Sequence, residues 1–362
     1  MDAPPIVGVV IPAYNAERWI ERTLRSALRQ TYRALEILVV DDGSTDATGA
    51  LAGSFAAADA RVRVISVSNG GVASARNLGI EQSTAPFIAF LDADDLWHPT
   101  KIERQLASLT AASGEGIAAT YALHRVIDSE DRVVAREHGF ICNGYALAQL
   151  LYAKFIGNGS SLLVRREAAV AVGGFDPTWA KRGLGGCEDL DFELKLVAKY
   201  PISAVPHFLV GYRVYPGNMS SDRLRMGRAI VATVERHLCE HAELPSWAAM
   251  KARAAANEYA LCQFLAERRW DMVALNAAKL FRNDAHRALD FIGGLTARKV
   301  RKSFDRGRAS QTQSYELPVF DDVRPEPKSD GIFAIDEARR DLMNMARLAQ
   351  LDAALAKQLG FA

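Results

Sequence analysis

The sequence predicts an α/β fold, a sheet of buried strands flanked by helices and followed by a helical C-terminal appendage. Three observations carry that prediction. Between residues 6 and 91, short apolar β-branched runs alternate with amphipathic stretches. Acidic clusters stand at the carboxyl ends of those runs, and beyond Met219 the strand signal gives way to Ala- and Leu-rich segments with charges at helical spacing. With 362 residues, 49% of them apolar, the chain can bury the core of one enzyme-sized domain and still supply a smaller part.

Residues 6–11 are continuously apolar, as expected of a parallel strand buried on both faces and stopped by Pro12. Over 17–30, Trp19, Ile20, Thr23, Leu24, Ala27 and Leu28 share one helical face, with Asn15 as the expected N-cap. A second strand at 36–40 ends in the turn-forming run Asp41-Asp42-Gly43-Ser44-Thr45-Asp46, and a third follows at 62–67. After Asn69-Gly70-Gly71 a short helix runs through Asn77, and a fourth strand at 87–91 delivers Asp92-Ala93-Asp94-Asp95, of which Asp95 is expected to cap the next helix. Strands are expected near 117–124 and 161–165, then a Gly-rich loop at 183–186 before a helix through Lys199. Helices are expected at 224–241, 246–269 and 271–281. Residues 303–331, with three prolines, read as a linker, and 333–359 as an amphipathic helix. The resulting division is 1–222, 223–302, 303–332 and 333–362.

Composition excludes several classes. Forty-four Lys and Arg offset 43 Asp and Glu, leaving a formal net charge of +1, so no global field suits nucleic acid or anionic lipid. Cys142, Cys187, Cys239 and Cys262 stand far apart without zinc-ligand spacing and read as buried free thiols. The N-terminus lacks a signal-peptide pattern, and no run of about 18 apolar residues reads as a membrane span. The expectation is a cytoplasmic protein, with contact to the inner face of a membrane left open.

Asp92 and Asp94 stand at i and i+2 beyond a strand end. Aspartates there also serve as turn formers, but ligands of parallel sheets collect at this rim. Carboxylates at that spacing can point at one hard cation whose other ligands are water and phosphate oxygens. With no thiolate or imidazole at useful spacing, Mg²⁺ or Mn²⁺ suits better than zinc. Glu188-Asp189, opening a helix after a flexible loop, is a third acidic cluster that could share the rim, although the helix dipole alone also favours acids there.

The ordered blocks Val9-Val10-Ile11-Pro12-Ala13-Tyr14-Asn15, Gln30-Thr31-Tyr32, Val39-Val40-Asp41-Asp42-Gly43-Ser44-Thr45-Asp46, Ala75-Arg76-Asn77-Leu78-Gly79 and Phe90-Leu91-Asp92-Ala93-Asp94-Asp95 resemble family 2 glycosyltransferases over roughly residues 5–220. The resemblance implies a GT-A type, Rossmann-like mixed sheet, a nucleotide-sugar donor, a divalent cation and inversion at the anomeric carbon. It implies that Pro12, Ala13 and Tyr14 line the nucleoside pocket, that Asp41 accepts a hydrogen bond from the base, and that Ala93 lies beside the donor. Asp42 is read as structural. Asp92 becomes the ribose- or metal-proximal acid and Asp94 the direct metal ligand, while Arg76 either faces the nucleotide or pairs with an acid. Glu188-Asp189 resembles the family's E-D motif, with Asp189 favoured over Glu188 as the base that takes the acceptor's proton. Gly173-Gly174-Phe175-Asp176 resembles its G-G-F-D turn. In the closing segment Tyr212–Ser220, Tyr215 stands where relatives commonly carry His, a departure that casts doubt on a further metal or phosphate contact there. The absence of Q-x-x-R-W points to single additions rather than polymerisation.

The function so implied is a transfer to a hydroxyl of a glycan, polysaccharide or lipid-linked acceptor. Two rivals stand beside it. A nucleotidyltransferase normally carries a Gly-rich loop where Pro12-Ala13-Tyr14-Asn15 stands, and a non-catalytic assembly factor has no need of three intact acidic positions. The C-terminal helices pack back on the domain, form a homodimer, or hold the acceptor; hydrophobicity alone does not choose.

Overall fold

The computed structural model describes residues 3–111, 116–134, 139–294, 319–326 and 338–358. Its centre is a mixed sheet of eight strands: β1 (Val7–Ala13), β2 (Leu35–Asp41), β3 (Val62–Ser66), β4 (Phe87–Phe90), β5 (Leu96–Trp97), β6 (Ala119–Ile127), β7 (Leu162–Arg165) and β8 (Ile202–Arg213). The strand order is β3-β2-β1-β4-β7-β6-β8-β5. The first four strands are parallel to one another, β7 runs antiparallel to both β4 and β6, and β6 and β8 are parallel.

All seven residues of β1 are buried because helices cover both faces of the sheet. Alternation sends Val9 and Ile11 into a core shared with α1 (Ile20–Leu28) and α4 (Lys101–Ala111), and Val10 into the opposite core. Pro12 does not stop β1. In the ladder its missing N–H falls on the side that β4 has already left, since β4 pairs only with residues 7–10, so no bond is lost. Asn15 does not cap α1 either: Trp19 is the capping position, and Asn15, at φ 48°, instead accepts the Thr45 N–H at 2.8 Å.

The helices α2 (Thr48–Ala58) and α3 (Val72–Gln82) connect the parallel strands. Beyond β6 come α5 (Leu147–Tyr152), α6 (Arg166–Ala171), α7 (Thr178–Lys181) and α8 (Glu188–Val197). The appendage comprises α9 (Arg223–Glu240), α10 (Ser246–Ala266), α11 (Trp270–Asn283) and α12 (285–294); the last described helix is α13 (Ala338–Gln358). The boundary at residue 222 does not separate two cores. One apolar cluster runs from Val10 and Phe90 through Leu190 to Met226, Ala256, Phe264 and Leu348. A hydrogen bond between His237 Nε2 and the buried Asp191 carboxylate at 3.0 Å, and an ion pair between Arg236 and Asp176 at 2.7 Å, reinforce the seam.

The linker expected at 303–332 is in part a docked strap. Phe320 is buried with Leu96 and Ile127, the Phe208 N–H donates to the Pro325 carbonyl at 2.7 Å, and Arg125 donates to the Arg324 carbonyl at 2.7 Å. Residues 303–318 and 327–332 lie outside the described residues. Helix α13 returns to α5, where the Asp352 carboxylate accepts the Ala148 and Gln149 N–H groups at 2.8 and 3.1 Å and caps its first turn. Burial raises the Asp352 pKa to about 7. Among the cysteines, Cys142 and Cys187 are buried as expected, whereas Cys239 and Cys262 are exposed, Cys262 on the lining of the cleft described below.

Candidate active site

A cleft of about 1540 Å³ opens beyond the carboxyl ends of β1 and β4 and continues between α5, α9 and α10. It is larger than one drug-sized ligand fills. Pro12, Ala13 and Tyr14, the Asp92-Ala93-Asp94 run, and Arg76, Glu188 and Asp189 all line it. Asp41 is the exception among the expected residues. It does not line the cleft, because its Oδ1 accepts the Ser44 N–H at 3.1 Å and closes the turn after β2. Asp42 does line it, but both its oxygens are held by the Gly70 and Gly71 N–H groups at 2.7 and 2.8 Å, the structural role expected of it.

Arg76 joins the two acidic motifs. Its side chain is 3% exposed; Nη2 donates to Asp92 Oδ1 at 2.6 Å and Nη1 lies 3.5 Å from Glu188 Oε1. Burial works against its charge, but Asp92 and Glu188 outweigh burial and hold its pKa above the usual range. The helix that bears it is set by Asn77, which donates to the Phe175 carbonyl and accepts the Phe175 N–H, both at 2.8 Å. That double bond needs the turn at Gly173-Gly174, where both φ angles are positive and a Cβ on Gly174 would come within 2.4 Å of Asn77 Oδ1. Gly174→Ala is therefore expected to lower unfolding stability by roughly 2 kcal/mol or more, read from chemical denaturation.

Asp94 accepts the Tyr215 hydroxyl at 3.0 Å, and Tyr215 packs against Trp19 with ring centroids 5.2 Å apart. Burial, and then the neighbouring Asp92 charge, raise the Asp94 pKa to about 6. These two carboxylates have little opposing charge beyond Arg76 and Arg213, an environment suited to a cation. Among the described residues no group of three or more His, Cys, Asp or Glu side chains could hold a metal ion. The protein thus offers a pair, not a closed cage, and a cation there would need oxygens from a bound diphosphate and water, which fits Mg²⁺ or Mn²⁺. Asp95 does not cap α4. It is buried, accepting from Ser160 at 2.6 Å, Asn158 at 2.8 Å and the Arg213 N–H at 2.9 Å, so it fastens β8 and the turn before β7 beneath the Asp pair. Arg213 in turn donates to the Asp94 carbonyl at 2.6 Å.

At the start of α8, Glu188 Oε2 accepts the Gly186 N–H at 2.7 Å, while Asp189 Oδ2 accepts from Lys154 Nζ at 2.9 Å. Burial disfavours the Lys154 ammonium, yet Asp189 and Glu193 outweigh burial and keep its pKa above the ordinary lysine range. One turn along α8, Glu193 is fully buried and neither carboxylate oxygen finds a hydrogen-bond partner. Burial, then the Asp189 charge, raise its pKa to about 8. Its native pKa lies above that of an unfolded glutamate, so its contribution to stability is full below the ordinary carboxylate range and is lost as pH rises through about 8. Glu193→Gln is expected to flatten that decline, as measured by denaturation at about pH 5 and about pH 9.

Lys154, Tyr215, Arg213, Asn158 and Ser160 were not singled out as site residues in the sequence reading. Tyr215 and Arg213 stand in the closing segment, where Tyr215 is the departure. The others come from segments where strand and helix periodicity is weak.

The parallel half-sheet, the antiparallel return through β7 and the acidic cleft at their junction define a GT-A type glycosyltransferase fold. Residues 8–172 match the family model described as Glycosyl transferase family 2. The uncharacterized glycosyltransferase EpsJ of Bacillus subtilis (strain 168) is 46% identical over 91 residues, covering 25% of this chain and 26% of that protein. The putative teichuronic acid biosynthesis glycosyltransferase TuaG of the same organism is 41% identical over 103 residues, 28% of this chain and 41% of its own. The chain thus spans well under half the length of these relatives. Among solved structures, the mannosyltransferase PcManGT from Pyrobaculum calidifontis, in complex with GDP-Man and Mn²⁺, matches with a TM-score of 0.53 at 19% identity over 84% of this chain and 83% of its own. S. aureus TarS matches with a TM-score of 0.51 at 17% identity over 72% of this chain and 44% of its own. At these identities the likeness is one of fold.

Proposed function

We propose that this chain transfers a sugar from a nucleotide diphosphate donor to a hydroxyl of a glycan, polysaccharide or lipid-linked acceptor, one sugar per encounter and with inversion. The observation that carries this reading is Arg76, whose one guanidinium spans Asp92 and Glu188 and so holds the two acidic motifs against a common space. Donor and acceptor chemistry can then meet within one cleft.

In this reading Pro12, Ala13 and Tyr14 wall the nucleoside end, and Ala93 leaves room for the donor between Asp92 and Asp94. The Asp pair would hold Mg²⁺ or Mn²⁺ together with the diphosphate, and the cation when bound supplies charge neutralisation for the leaving group. Tyr215 orients Asp94, and Arg76 fixes Asp92 while contributing a buried positive charge near the developing diphosphate. Asp189 takes the proton of the acceptor hydroxyl as its oxygen bonds to the anomeric carbon and the bond from that carbon to the phosphate oxygen breaks. Lys154, 2.9 Å from Asp189 Oδ2, holds that carboxylate in place before the acceptor arrives. Glu188, tied to Gly186 and Arg76, positions the loop rather than removing the proton. One displacement inverts the anomeric centre, and no second nucleophile is required.

The test is a panel of nucleotide sugars with Mg²⁺ or Mn²⁺, reading nucleoside diphosphate release and the anomeric configuration of the product. Metal-dependent release with inversion supports the proposal. Pyrophosphate release would favour the nucleotidyltransferase, and absence of metal-dependent nucleotide binding the assembly factor.

A further inference from the structure

The candidate cleft has two linings of opposite chemistry. Beyond the strand ends it presents Asp92, Asp94, Glu188, Asp189 and Arg76, whereas between α5, α9 and α10 its walls are Leu151, Ile230, Val234, Ala255 and Ala256. Leu151, Ile230 and Val234 belong to the buried core of their helices, yet here they border open space instead of one another. The two alanines of α10 add no bulk to it. The charged pair on this lining is Glu258 with Arg287, and Arg287 also donates to the Tyr152 hydroxyl at 2.6 Å, so these polar groups bind each other. Tyr259 and Cys262 are exposed residues of α10 on the same lining. At about 1540 Å³ the cleft exceeds the upper end of what one drug-sized ligand occupies by roughly 500 Å³, which leaves room for a second ligand beside a donor.

We propose that the space between α5, α9 and α10 binds the hydrocarbon portion of an amphiphilic acceptor whose polar end reaches Asp189. The proposal rests on the transferase reading and narrows its acceptor to the lipid-linked class. A bare glycan laid against Leu151, Ile230 and Val234 would lose the water bonded to its hydroxyls and find no donor or acceptor in return. A hydrocarbon chain gains there with each methylene removed from water. Continuity of the cleft supplies the rest of the argument. The start of α8, from Cys187 to Leu190, lines the same space, so a chain seated among the three helices carries its headgroup toward the proposed base.

The probes are octyl β-glucoside, kept below its micelle concentration, and methyl β-glucoside, which share a headgroup and differ only in alkyl length. The readout is alkylation of the full chain by N-ethylmaleimide, followed by peptide mass spectrometry. Cys262 reports on this part of the cleft, and Cys239, exposed on α9 outside the lining, is the internal control. The expected result is that octyl β-glucoside slows alkylation of Cys262 saturably and at least about tenfold, leaves Cys239 at its own rate, and that methyl β-glucoside at the same concentration alters neither. Ala255→Trp, which fills the space, should raise the concentration giving half protection at least about tenfold with circular dichroism unchanged. The wild-type comparison needs no variant and decides by itself if Ala255→Trp does not fold. The proposal is overturned if octyl β-glucoside protects neither cysteine or both alike, if methyl β-glucoside protects Cys262 equally well, or if folded Ala255→Trp keeps wild-type protection. Alkylation needs neither donor nor turnover. Protection without nucleoside diphosphate release keeps the apolar site and removes the transferase reading, whereas release without protection keeps the transferase and removes the site.

Discussion

Asp189→Asn will lower turnover about a thousandfold while leaving nucleotide affinity close to wild type, because a positioned general base contributes about 10²–10⁴ in rate and little to ground-state binding. Asparagine keeps the volume and can still accept from Lys154, but it cannot take the acceptor's proton. The substitution also leaves the Lys154 ammonium without its closest counter-charge, 2.9 Å away in wild type. Some loss of thermal stability is therefore expected alongside the kinetic one. Adding Lys154→Met separates the two, since it removes the stranded charge and should recover stability without recovering turnover. A single Asp189→Asn variant with wild-type turnover on an identified substrate would remove the base from the mechanism.

The second large effect is expected at Asp94. Asp94→Ala should abolish the dependence of nucleotide binding on Mg²⁺ or Mn²⁺ and reduce turnover by about 10³ or more, because the cation would keep only Asp92, whose Oδ1 is already engaged by Arg76 at 2.6 Å. Titration calorimetry with a nucleoside diphosphate, with and without the metal, reads the binding arm directly. Asp94→Ala also relieves repulsion with Asp92, so the variant protein should melt no lower than wild type. Metal-dependent affinity that survives the substitution would place the cation elsewhere.

Much of the fold was legible in the first ninety residues because β1, β2 and β4 are almost wholly buried and read as nearly continuous apolar runs, whereas the edge strand β3 is only partly buried. The strand β8 was not legible. Its sequence contains Pro206, and the pairing with β6 steps from Val205 directly to Phe208, leaving Pro206 and His207 bulged out of the ladder. A run interrupted in that way shows neither alternation nor continuity. The candidate site divides along the same line. Asp92, Asp94, Glu188 and Asp189 were visible because they end strands or begin a helix in recognisable blocks, whereas Lys154 and Asn158 stand between short elements and acquire their partners only through tertiary packing. Adjacent aspartates at a strand end point to different sides, and it is Asp42 whose side chain reaches the cleft lining.

The cap that Asp352 places on α5 ties events at opposite ends of the sequence. Residues 150–154 follow directly from that first turn and form part of the cleft wall that ends in Lys154. During translation the strands β1 to β4 emerge long before residue 352, so the sheet leaves the ribosome while this wall of the cleft still lacks its cap. A chain cut short of α13 would leave the Ala148 and Gln149 N–H groups without that acceptor.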